Sequence, residues 1–166
     1  MALHDDLLVQ AAQLARVDKK KPKQANLRRA VSAAYYALFH LLIDASTRFL
    51  VSGPQREALR QQLARSFDHG QMKTAAKAFA SGNQAGPWIK ILGAAPSADL
   101  VDVAKAFIEL QEARHEADYD LSRSFTRFQA DQGVALAQNA FRKWNVVSGK
   151  PEGEVFLVAL LVKSRS

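Results

Sequence analysis

The chain has 166 residues, 48% hydrophobic and 23% charged, so it is long enough to bury one core and too apolar to be a disordered polymer. It holds no cysteine, which excludes a disulfide framework, a thiolate metal site and a thiol nucleophile. Its net charge of +7 favours an anionic partner, nucleic acid above all, through long-range attraction.

In chain order, "ALHDDLLVQAAQLARV" (2–17) sets Leu3, Leu7, Ala11 and Leu14 at helical spacing and reads as a first helix. Its early aspartates stand where a secretory leader would carry positive charge, which points to a cytoplasmic protein. "DKKKPKQ" (18–24) is a basic connector interrupted by Pro22, either a solvated loop or a phosphate-contacting patch. A long second helix is expected from Gln24 to Val51, ended by "SGP", and a third starts at Pro54. "FDHGQMKTAAKAFASG" (67–82) holds a break near Gly70 and a helix that Gly82 ends. Residues 83–99, with two glycines and two prolines, read as a surface loop that packs Trp88 and Ile91 inward. Ser97 is the expected N-cap of a helix running to about Glu116. The last long helix is expected over Ser122–Val147, with Gly133 as a kink or close-packing point. "EVFLVALLVK" reads as a helix, because no second strand is available to pair with it. Its apolar run is too short to cross a bilayer. The expected fold is all-α: an antiparallel four- or five-helix up-and-down bundle over residues 1–150, with a short tail at 151–166.

The second helix carries apolar residues on two sides. At 100° per residue, Leu27, Val31, Ala34, Leu38, Leu41, Leu42 and Ala45 form one seam. Ser32, Tyr36, Phe39 and Ile43 form another, flanked by Arg29 and His40. Either the chain packs this helix on all sides, or the second seam is a dimer interface or a pocket with Arg29, Tyr36 and His40 at its edge.

A second cluster lies in "AFIELQEARHEADYDLS". Leu100, Phe107 and Gln111 share a face with Arg114 and Asp118, which are four apart and so able to pair. His115 and Tyr119 are also four apart, on an adjacent face. A guanidinium, an imidazole, a carboxylate and a phenol within two turns could bind a phosphate and move a proton. The plainer reading of Arg114–Asp118 is a clamp on the helix end. Arg123 and Arg127 would extend a basic strip from Arg114.

"AVSAAYYALFHLLID", "SFDHGQMKTAAKAF" and "RHEADYD", in that order and spacing, resemble the HEPN (higher eukaryotes and prokaryotes nucleotide-binding) domain family, in particular its small stand-alone prokaryotic members. The likeness covers roughly residues 5–145 and implies a helical homodimer acting on RNA or nucleotides. It further implies a toxin–antitoxin setting with a nucleotidyltransferase-type partner protein. Many relatives are metal-independent ribonucleases whose motif is an Arg, four to six residues, then a His. Arg114 aligns with that Arg, but positions 119 to 121 are Tyr, Asp and Leu. The resemblance therefore implies a binding protein with an incomplete motif; the alternatives are a ribonuclease using Arg114 with His115 or His40 as base and Tyr119 orienting the 2′-hydroxyl, or a scaffolding bundle.

Other chemistry finds no support in the sequence. The histidines at 4, 40, 69 and 115 make no tight ligand array, "SGNQAG" lacks the Lys-Ser/Thr end of a phosphate loop, and no GxSxG elbow exists. No metal or cofactor is expected.

Overall fold

The computed structural model describes residues 1–82 and 86–164. Among these there are eight α-helices and no strand: α1 (Leu3–Arg16), α2 (Gln24–Leu50), α3 (Glu57–Ala64), α4 (His69–Ala80), α5 (Pro87–Leu92), α6 (Ala98–Tyr119), α7 (Arg127–Val147) and α8 (Pro151–Leu161). No described helix is long and apolar enough to cross a membrane. Two compact units divide the chain: Met1–His40 with Ala106–Phe141, and Leu41–Lys105 with the chain from Arg142 on.

The first unit is packed through small residues. Ala11, Ala30, Ala34, Ala37, Ala130 and Ala137 are fully buried, and small side chains let helix backbones approach closely around Val31, Tyr35, Leu38 and Phe107. Polar ties hold its ends. The Arg16 guanidinium donates to both carboxylate oxygens of Asp131, at 3.3 and 3.2 Å. The Gln24 side chain donates to the Phe125 carbonyl at 2.7 Å and accepts from the Phe125 N–H at 2.9 Å. Arg28 donates to the carbonyls of Ala117, Asp120 and Arg123, closing the carboxyl end of α6. α7 starts five residues later than Ser122. The Asp120 carboxylate accepts from the Ser122 N–H and hydroxyl, making a local turn. A reciprocal cap then opens the helix: the Thr126 hydroxyl accepts from the Gln129 N–H while the Gln129 side chain accepts from the Thr126 N–H.

In the second unit α8 packs on α4 and α5. α8, inside the stretch 151–166 that reads from sequence as a tail, supplies core: Phe156, Leu157, Ala159 and Leu160 are buried, and the Phe156 ring meets Phe79 edge-on at 5.0 Å. Pro151 at the first turn and Glu152 near the N-terminus suit a helix start. Ser97 caps α6 as expected, accepting from the Leu100 N–H at 3.3 Å. The Glu152 carboxylate in turn accepts from the Ser97 N–H and hydroxyl, at 2.8 and 2.6 Å. The Gln71 amide donates to the Ala159 and Val162 carbonyls and so closes the other end of α8.

Three further expectations are corrected. α3 does not begin at Pro54: Gly53 and Gln55 have φ of 94° and 58°, left-handed backbone that no helix admits, and the Arg60 side chain pins this turn by donating to the carbonyls of Val51 and Gly53. The break before α4 lies at 65–68 and not at Gly70; Asp68 is the cap, its carboxylate accepting from the Gln71 N–H at 2.8 Å, and His69 is the first helical residue. Within 83–99, of which 83–85 lie outside the described residues, Pro87–Leu92 forms a helix that buries Ile89 and leaves Ile91 66% exposed.

Candidate functional site

The two-sided greasiness of α2 is resolved by burial within one chain. Leu27, Val31, Ala34 and Leu38 on one seam, and Phe39 and Ile43 on the other, are all buried without a second subunit. What stays open is the polar edge. Arg29, Ser32 and Tyr36 of α2 line a pocket of about 190 Å³ whose other wall is Leu7, Gln10 and Leu14 of α1. Arg29 is exposed, and no carboxylate lines the pocket. A guanidinium beside a hydroxyl, a phenol and an amide suits an oxyanion.

α6 supports this pocket from behind. Arg114 is buried at 7% exposure, its guanidinium 5.1 Å from the ring centre of Tyr35 and 5.7 Å from that of Tyr36. These are cation–π distances. Its Nη1 stands 3.8 Å from the Asp118 carboxylate, which is coulombic contact beyond hydrogen-bond reach, and its Nε has no hydrogen-bond partner. The Ser32 hydroxyl donates to the Asp118 carboxylate at 3.4 Å, a hydrogen bond that links the pocket wall to the ion pair. Burial pushes the Tyr35 phenol well above its ordinary range, with Arg114 opposing the shift.

His40 stacks on the far side of Tyr36, ring centres 6.2 Å apart and planes at 29°. Burial lowers its pKa, and His4 lowers it further. The sign is definite: an imidazole whose folded pKa lies below its unfolded value of 6.5 favours the unfolded chain once protons are plentiful. Stability is complete above that value and is lost as pH falls through the folded pKa. Urea unfolding at pH 7.5 and 5.5 should show this loss, and His40→Gln should reduce it; an equal loss in the variant would assign it to other groups.

The remaining predicted residues lie elsewhere. His115 and Tyr119 form their own pair, rings 5.0 Å apart, on the exposed side of α6, so helical geometry turns them away from buried Arg114. Arg123 pairs with Glu116 at 2.9 Å and lies over the Phe125 ring, and Arg127 donates to the Asp18 carbonyl. The two arginines are committed to local partners and do not extend a strip from Arg114. Arg28 and the α1 wall of the pocket went unread in the sequence. Leu7 and Leu14 carried only a helical period, and nothing in spacing joins them to Arg29. No protein-family model, curated protein or solved structure matches the chain.

Proposed function

We propose that this protein is a HEPN-like helical bundle that binds RNA or a nucleotide as a homodimer, in a toxin–antitoxin or nucleotidyltransferase-partner system, without Arg–His ribonuclease chemistry. The observation that carries the binding half is the Arg29–Ser32–Tyr36 pocket, cationic and free of carboxylates in its lining. Arg29 meets the phosphate, the Ser32 and Tyr36 hydroxyls orient it, and Arg114 acts behind them by holding Tyr36. The loss of catalysis is supported by the separation of faces: Arg114 is buried while His115 and Tyr119 face solvent. The dimer rests on the family resemblance alone, since burial within one chain does not call for it.

An active ribonuclease draws support from one feature, His40. A half-buried imidazole with a lowered pKa is neutral at pH 7 and ready to accept a proton. One experiment separates the readings. A labelled mixed-sequence RNA of about 15 nucleotides, the upper range of a single-strand site, is incubated with the protein in excess chelator, and binding and cleavage are both read. The proposal expects binding without cleavage, and a loss of about tenfold in affinity in Arg29→Ala, the scale of one good charge-assisted contact. Cleavage that disappears in His40→Gln would replace it with the ribonuclease reading. Absence of binding to RNA, ATP and GTP alike would leave the scaffolding bundle.

A further inference from the structure

The end of the first unit carries a feature that the pocket does not use. Tyr119, Leu121 and Phe128, all in or beside the α6–α7 hairpin, are 66%, 90% and 70% exposed. Three large side chains exposed along one hairpin offer a partner apolar and aromatic surface. Tyr119 is held in place by its contact with the His115 ring.

The basic connector is tied to this same hairpin. Arg127 donates to the Asp18 carbonyl, the Asp18 carboxylate accepts from the Lys23 N–H at 2.8 Å and from Asn26 at 2.8 Å, and Gln24 is bonded twice to Phe125. The connector is thereby anchored at both ends while Lys19, Lys20 and Lys21 project into solvent. None of these three lysines makes an ion pair among the described residues. Three lysines without an ion pair thus stand on a loop bonded to the hairpin that carries the exposed rings.

We propose that the connector and the hairpin together form a landing surface for single-stranded nucleic acid, with Lys19, Lys20 and Lys21 on its phosphates and Phe128 and Tyr119 stacking on its bases. Unpaired lysines on an anchored loop attract a polyanion and release its counterions. Exposed rings give each base a face to stack on regardless of its identity. A duplex hides its base faces, so the surface discriminates in favour of single strands. This inference rests on reading the chain as a nucleic-acid binder, but it uses none of the residues of the Arg29 pocket.

The test is fluorescence anisotropy of a labelled uridine-rich RNA of about 15 nucleotides, over a range of salt concentrations, with the full chain. The triple variant Lys19→Ser, Lys20→Ser, Lys21→Ser should lower the slope of log affinity against log salt by about 2, three single-strand phosphate contacts at about 0.7 each. Phe128→Ala should weaken binding about tenfold, and a matched duplex should bind less tightly than the single strand. All these residues are exposed, and a circular dichroism melt matching that of the wild type confirms that each variant is folded. RNA binding that Arg29→Ala abolishes while both surface variants leave slope and affinity unchanged overturns the surface and spares the pocket. A wild type that binds no RNA overturns both. Binding to phosphatidylserine vesicles in place of RNA, lost in the same variants, makes the surface a membrane contact and overturns the assignment.

Discussion

Replacing Gly153 with alanine should destabilise the chain by about 3 kcal/mol, the upper range for forcing one extra carbon into a packed site. A Cβ there would stand 2.2 Å from the Val147 carbonyl oxygen, 3.1 Å from its carbon and 3.3 Å from the Ser148 Cα. These are backbone atoms at the end of α7 and in the turn after it, so no flexible side chain can step aside. Room could come only by moving α8 off the corner, which would pull Phe156 from Phe79 and Glu152 from Ser97. Gly149, four residues earlier, meets nothing within 4 Å, and Gly149→Ala should stay within about 0.5 kcal/mol of wild type. Urea midpoints of the two variants, at unchanged slope, decide the matter. Equal midpoints would mean that α8 does not close against the end of α7 as described.

Gly153 also shows what kind of information the sequence withheld. Periodicity does not separate helix from strand over 155–162; the want of a second strand to pair with is what points to the helix found there. That α8 turns back through a contact only glycine permits depends on how the chain folds at Val147, six residues earlier, which neither composition nor period encodes. The same division runs along the chain. Ser97 was legible as a cap because capping is decided within three residues; its bonds to Glu152 were not. Sequence points to Trp88 and Ile91 as the inward residues of 83–99, but in a helix of six residues the period is too short to choose among them; Ile89 is the buried one, Trp88 is half-buried and Ile91 is exposed. Pro54 has the chemistry of a helix start, but the left-handed backbone at Gln55 puts the helix after it.

At the candidate site the local pairs were readable and the faces were not. Arg114–Asp118 and His115–Tyr119 are both spaced four apart, and both meet in the structure. Which pair is buried is fixed by α2, whose Tyr35 and Tyr36 cover Arg114 and leave His115 to solvent. Helical angle puts Ser32, Tyr36 and Arg29 on one side of α2, yet the pocket they line exists only because Leu7, Gln10 and Leu14 form its second wall.

Arg114 is the residue whose substitution should best separate packing from binding. Arg114→Ala is expected to cost about 3 kcal/mol in urea unfolding, chiefly by emptying the space over Tyr35 and Tyr36 and removing two cation–π contacts. The lost ion pair adds little to that figure: the Asp118 side chain is 31% exposed and solvates readily once alone. Arg114→Met keeps most of the volume without the charge, and the Asp118 carboxylate it leaves behind is exposed enough to be solvated. The methionine variant should therefore unfold within about 1 kcal/mol of wild type. Its binding then carries the information. Where Arg114 orients Tyr36 electrostatically, Arg114→Met should weaken RNA or nucleotide binding about tenfold, the equivalent of 1.4 kcal/mol, while the fold survives. Unchanged binding in a stable Arg114→Met protein would reduce Arg114 to a helix clamp and leave Arg29 as the one cation serving the pocket.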